Sequence, residues 1–195
     1  RFLVIAEKQS IPAAVIANKV DLVGKKLARE IFSIYADLGY PLIYTSAQSG
    51  LGLKDLQSLL QGRISGLAGP SGVGKSTLLN SIQPELGLAV REVSEVTDKG
   101  KHTTVVRQMF PLDVGGYVAD LPGLKSLALW DTQAEELDGY FPELRNLVSQ
   151  CTYNDCTHTD EPGCAVVAAV EKGTVDYRRY ESYVRMRFGG DNYGA

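Results

Sequence analysis

The run Gly69-Pro70-Ser71-Gly72-Val73-Gly74-Lys75-Ser76-Thr77 has the residue types and spacing that bind a polyphosphate. Its glycines let the backbone wrap so that successive N–H groups point at anionic oxygens. A helix opening at Lys75 adds the partial positive charge of its N-terminus. Lys75 would neutralise the β- and γ-phosphates, and the Ser76 hydroxyl would ligate Mg²⁺.

The loop alone does not choose the base, since a guanylate-kinase-like enzyme carries the same run. Asn18-Lys19-Val20-Asp21 supplies a choice. It ends an apolar stretch, where ligands gather in open α/β sheets. The Asp21 carboxylate can accept from guanine N1–H and the exocyclic amine together. Adenine offers neither donor, so the carboxylate would be left unpaired, and sites of this kind discriminate by about 10⁴ to 10⁵. Asn18 would brace the loop, and the Lys19 stem would cover the ring face. Thr45-Ser46-Ala47 follows at the next strand end, where the Ala47 N–H can bond guanine O6 and Ser46 lines the same turn.

Asp120-Leu121-Pro122-Gly123 closes a later strand. Asp120 would hold Mg²⁺ through water, and the Gly123 N–H would sense the γ-phosphate. Thr103 or Thr104 is the candidate hydroxyl for the first switch, directly after the polar stretch 94–102. Leu124 follows Gly123 where many GTPases place a water-orienting Gln. An apolar side chain cannot position a nucleophile, so unassisted turnover near ~10⁻⁴ to 10⁻³ s⁻¹ is expected. His102 reads as a solvated or structural residue rather than a water-orienting group.

Cys151, Cys156, His158 and Cys164 gather all three cysteines and one of the two histidines of the chain. Three thiolates and an imidazole complete a tetrahedral set with no open position, which predicts a structural Zn²⁺. Such a site can hold together an appendage too small to build its own core. Arg145, Arg178, Arg179, Arg185 and Arg187 lie around it among acidic residues. They read as a solvated helix face, with RNA or protein docking as the alternative.

These residues need positioning elements. Apolar runs at 11–17 and 41–45, and the segments 63–68, 105–111 and 116–120, read as strands. The segments 27–38, 53–60 and 75–82 have helical spacing, and 2–8 reads as a helix end. Strands alternating with helices predict an α/β domain with a mainly parallel sheet over 1–127. Segments 132–148 and 165–188 read as helices of a second, zinc-binding domain over 128–195.

The 195 residues, 44% hydrophobic and 22% charged with net charge −3, fit an ordinary globular protein with no global electrostatic attraction for nucleic acid. No apolar run approaches the roughly 20 residues that span a bilayer, so no membrane partner is expected. An odd number of clustered cysteines argues against a disulfide framework and fits a reducing, cytoplasmic compartment. The opening Arg1-Phe2-Leu3-Val4 reads as a fragment.

The order NKVD, TSA, GPSGVGKST, HTT, DLPG, then CTYNDCTHTDEPGC, places base reading ahead of phosphate binding, the reverse of most GTPases. It resembles the circularly permuted GTPases of the RsgA (YjeQ) type over nearly the whole chain. The resemblance implies a P-loop GTPase fold using GTP/GDP, Mg²⁺ and one structural Zn²⁺. Implied partners are the small (30S) ribosomal subunit and its rRNA in late maturation, with low intrinsic activity stimulated by the ribosome. It also implies an N-terminal OB barrel, expected to be missing from this chain, and a monomer. On the matching positions it implies Asn18, Lys19 and Asp21 for guanine, Gly69 to Thr77 for phosphates, Asp120 and Gly123 for the second switch, and the four Cys/His ligands for zinc. Two other readings stay open here: a zinc-containing RNA-binding module with a vestigial nucleotide site, and a P-loop nucleotide kinase. In the permuted order the Asp120–Gly123 switch leads directly into the second domain, which suggests a coupling device.

Overall fold

The computed structural model describes residues 1–88, 109–119 and 132–189. It divides into two compact units, Ala14–Ala128 and a second formed by Arg1–Ala13 with Leu129–Ala195.

In the first unit, strands β1 (Val15–Ala17) and β2 (Leu42–Tyr44) pair in parallel, with Ile16 opposite Ile43. Helix α2 (Gly24–Asp37) makes the crossover between them. Strand β1 starts later than its apolar run because Pro12 offers no N–H to a ladder. After helix α3 (Leu53–Leu60), strand β3 (Arg63–Gly66) runs parallel to β5 (Gly116–Ala119). Helix α4 (Lys75–Ile82) follows the phosphate loop. Strand β4 (Met109–Pro111) joins β5 as an antiparallel hairpin, giving the order β3-β5-β4. The described strands thus form a two-stranded and a three-stranded sheet, parallel except for that hairpin.

Gly116 closes the hairpin turn at φ 90°, and a Cβ there would lie 2.3 Å from the Arg63 carbonyl oxygen. Only glycine lets β5 approach β3 so closely. Leu56 and Leu60 of α3, Leu78 and Leu79 of α4, Leu112 and Val118 form the core. On helix α2 Ala28 is buried, whereas Leu27 and Ile31 are 44% and 40% exposed. A small residue on the inner face lets the helix backbone come near the strands, which displaces the larger side chains outward.

In the second unit, helix α1 (Phe2–Lys8) buries Val4 in a core with Leu137, Phe141, Leu144, Val166 and Tyr183. The segment read as one helix over 132–148 is broken. Ala134–Tyr140 is a 3₁₀ helix, α5 (Pro142–Arg145) is one turn, and Val148–Gln150 is again 3₁₀. Pro142 explains the break, since the residue before a proline is pushed to extended backbone and Phe141 has φ −105° and ψ 105°. The segment read as one helix over 165–188 is two, α6 (Ala165–Glu171) and α7 (Tyr177–Arg187). Gly173 turns at φ 73°, and the Asp176 carboxylate restarts the helix by accepting from the Arg178 N–H.

Candidate functional site: a nucleotide cradle and a Cys₃His centre

Strand β1 delivers Asn18 and Lys19 directly onto the phosphate loop. Asn18 Nδ2 donates to the Val73 carbonyl at 2.8 Å, and Lys19 Nζ donates to the Gly72 carbonyl at 2.6 Å. Lys19 occupies the left-handed region at φ 61°, which costs a non-glycine residue free energy and occurs where surrounding contacts fix it. Gly74, at φ 93°, precedes α4, and a Cβ on it would sit 2.5 Å from Asn18 Nδ2. The demand of the loop for glycine here therefore has two causes, backbone sign and the Asn18 amide.

The Asn18 amide is oriented from behind. Thr45, fully buried, donates its hydroxyl to Asn18 Oδ1 at 3.1 Å, and its N–H bonds the Ala17 carbonyl at 2.8 Å. In the sequence Thr45 stands out only as the lead-in to Ser46-Ala47. Ser46 is buried too, and its hydroxyl accepts from the Ser49 N–H at 3.1 Å, which shapes the turn carrying Ala47. Asp21 is exposed on the 3₁₀ turn Val20–Leu22.

Lys75 Nζ donates to the carbonyls of Gly69 and Pro70 at 2.8 and 2.9 Å, so its ammonium lies against the loop it belongs to. Ser76 and Thr77 occupy the first turn of α4. The arrangement brings base-reading and phosphate-binding motifs into one hydrogen-bonded unit. Thr103, Thr104, Asp120 and Gly123, with His102 and Leu124, lie outside the described residues.

In the second unit, the ligand atoms of Cys151, Cys156, His158 and Cys164 all lie within 4.8 Å of one another. Cys151 Sγ is 4.0 Å from Cys164 Sγ. Two thiolates on a tetrahedral Zn²⁺ with bonds of ~2.3 Å stand ~3.8 Å apart, so the spacing and soft donor set fit that ion. Without a cation Cys156 resists ionisation: burial, with the neighbouring Cys164 and Cys151 thiols, pushes its thiol up to about 12. A dication reverses that balance by binding the deprotonated sulfurs.

His158, completely buried at φ 62°, turns Nδ1 toward Cys151 and Cys164 at 3.6 and 3.5 Å. Its Nε2 meets Asp138 Oδ2 at 3.1 Å. Burial lowers the imidazole pKa, but the Asp138 carboxylate outweighs it, and the balance lies above the ordinary value. Tyr180 donates to the His158 carbonyl at 2.8 Å, and Tyr183 to the Thr157 carbonyl at 3.1 Å. Glu161 accepts from the Thr157 hydroxyl and the Thr157 and Thr159 N–H groups, which holds its carboxyl well below the usual range. Asp138, Glu161, Tyr180 and Tyr183 carry no spacing signal that marks them beforehand.

The surrounding arginines are engaged within the unit. Arg179 and Glu143 form a buried pair at 2.6 Å with Arg179 over the Phe141 ring, and Arg187 bonds the Ala134 carbonyl at 3.1 Å. Arg145 pairs with Glu7, Arg178 with Asp176 and Arg185 with Glu181.

A family model described as RsgA GTPase matches residues 1–130. The chain belongs to the RsgA GTPase family. The small ribosomal subunit biogenesis GTPase RsgA of Gemmatimonas aurantiaca is 47% identical over 187 residues, covering 96% of this chain and 61% of that protein. RsgA of Thermotoga maritima is 47% identical over 189 residues, covering 95% and 63%. The crystal structure of YjeQ from Thermotoga maritima superposes with TM-score 0.79 at 42% identity, over 96% of this chain and 63% of that one. YloQ, a circularly permuted GTPase, superposes with TM-score 0.73 at 33% identity, over 96% and 60%. The chain thus spans 61–63% of the length of these RsgA relatives. Membership in the RsgA family accounts for the motif order, with Asn18 arriving before the phosphate loop it braces.

Proposed function

We propose that this chain is the nucleotide-hydrolysing and zinc-holding part of a GTPase acting in late maturation of the small ribosomal subunit. The observation that carries the reading is the Asn18–Val73 hydrogen bond, which joins the guanine-reading strand end to the phosphate loop. A nucleotide kinase has no use for that junction. The relatives named above, each a small ribosomal subunit biogenesis GTPase, supply the cellular context.

Guanine would be read by Asp21, with Asn18 and Lys19 fixing the loop and the Ala47 N–H at O6. The N–H groups of residues 69–77 would surround the phosphates, with Lys75 against the β- and γ-oxygens. Mg²⁺ would be held by Ser76, by Thr103 or Thr104, and through water by Asp120, while Gly123 senses the γ-phosphate. These contacts stabilise charge on the transferring phosphoryl group. Leu124 offers nothing to orient water, so the ribosome has to complete the site. Zn²⁺ would be held by Cys151, Cys156, His158 and Cys164 as a closed structural centre. The domain over 128–195 would dock on the subunit and its rRNA, and GTP binding and hydrolysis would set and release that docking through the short chain path after Gly123. We place the protein in the cytoplasm as a monomer. No helix among the described residues is long and apolar enough to cross a membrane.

GTP turnover measured alone, with 30S subunits and with 50S subunits tests the proposal. Slow hydrolysis that rises only with 30S supports it. Turnover equal in all three, or GMP phosphorylation by ATP, contradicts it.

A further inference from the structure

We propose that Asp138 is the outer carboxylate of the Cys₃His centre, a positioning residue that sets the metal-binding face of His158 and ties the segment Ala134–Tyr140 to the centre. The proposal rests on the zinc assignment made above. His158 presents Nδ1 to Cys151 Sγ and Cys164 Sγ at 3.6 and 3.5 Å, so Nδ1 is the nitrogen that meets the metal. Nε2 points the other way, 3.1 Å from Asp138 Oδ2. An ionised carboxylate only accepts, so Nε2 carries the proton and the neutral ring keeps its lone pair on Nδ1. Asp138 therefore selects the tautomer that ligation requires, and its charge raises the basicity of the donor nitrogen.

The carboxylate is itself held. Its other oxygen, Oδ1, accepts from the Gly139 N–H at 2.7 Å, and Leu137 next to it is buried in the core. The Arg187 guanidinium bonds the Ala134 carbonyl at 3.1 Å, and Arg145 bonds the Gly139 carbonyl at 2.8 Å. Of these anchors, only Asp138 reaches a metal ligand. The Asp138 side chain thus hydrogen-bonds the 3₁₀ segment to the centre, which gives metal occupancy an effect on a stretch remote in sequence from the ligands.

The test uses the full chain with D138N and D138A. Zinc content is measured first, then zinc affinity by competition with a chromophoric chelator, and the His158 ring nitrogens by ¹⁵N NMR. We expect one zinc in the parent chain, an affinity loss of about 10- to 100-fold in D138A, and a smaller loss in D138N, whose amide oxygen still accepts. The His158 Nε2–H signal of the parent chain should broaden or vanish in D138A. A purely structural carboxylate would alter thermal stability without moving zinc affinity or that signal. Zinc affinity in both variants within about twofold of the parent overturns the role of Asp138 while leaving the zinc assignment intact. A parent chain without zinc overturns both.

Discussion

Asn18 Nδ2 lies 2.8 Å from the Val73 carbonyl oxygen, and the space beside that amide is the space a Gly74 side chain would need, 2.5 Å away. Gly74→Ala therefore forces either the amide or the phosphate loop to move, and it also places a Cβ at φ 93°. The expected outcome is a fall of about 5- to 150-fold in affinity for GDP and GTP alike, from a strained loop costing ~1–3 kcal/mol. Titration of a fluorescent guanine nucleotide measures it. An unchanged affinity in a folded variant would show that the junction does not shape the loop.

Thr45 governs the same amide from the other side. Thr45→Val keeps the shape but removes the donor to Asn18 Oδ1, leaving a part-buried acceptor unpaired at ~1–3 kcal/mol. We expect weaker GDP binding by roughly 5- to 100-fold, with Thr45→Ser restoring most of it. Calorimetric titration of the three proteins checks this, and loss in the Ser variant equal to that in the Val variant counts against the hydroxyl.

The proposed function puts base selectivity on Asp21, exposed on the turn after β1. Hypoxanthine keeps the N1–H of guanine but lacks the exocyclic amine. The parent chain should therefore prefer GDP over IDP, by about tenfold for one charge-assisted hydrogen bond. Asp21→Ala should lose that preference while weakening both. A preference for GDP that survives the substitution would move base reading to another residue.

These three residues also mark how much the sequence could say. The positions of α3 and α4 follow from Gly52 and Gly74 at their starts and from local leucine spacing. Asn18 and the phosphate loop were each legible as motifs. Their hydrogen bond was foreshadowed only by knowing that one nucleotide must touch both. The Thr45 hydroxyl and the Asp138 carboxylate act on partners far away in the chain, and no local pattern encodes such pairs. The breaks at Phe141 and Gly173 were written in the sequence as Pro142 and Gly173. The helical spacing on either side concealed them, because both halves bury residues in one core.

Chelation probes the second unit. Cys156 and Cys164 are core residues as well as proposed ligands, packed with Phe141, Leu144 and Tyr183. Removing the ion would take away the cation that holds the three buried or half-buried sulfurs and His158 Nδ1 together. Binding free energy at such a centre is folding free energy. A strong chelator should abolish the near-ultraviolet signal of the second unit and lower its melting temperature, with recovery on adding Zn²⁺. Full retention of that signal after the ion is removed contradicts a structural role.

The Arg179–Glu143 pair gives a test independent of metal and nucleotide. Both side chains are nearly enclosed, 8% and 7% exposed, and meet at 2.6 Å with the guanidinium over the Phe141 ring. Removing one partner leaves an uncompensated buried charge, so Glu143→Ala and Arg179→Ala should each destabilise by about 3–5 kcal/mol. Replacing both with apolar residues of similar length, Glu143→Leu with Arg179→Met, removes both desolvation penalties together. That double variant should recover most of the loss and can match the parent. Denaturant unfolding of the zinc-loaded chain, followed through the near-ultraviolet signal, reads all four proteins. If the double variant instead loses the sum of the two single effects, the charges are not coupled and the pair contributes through separate contacts.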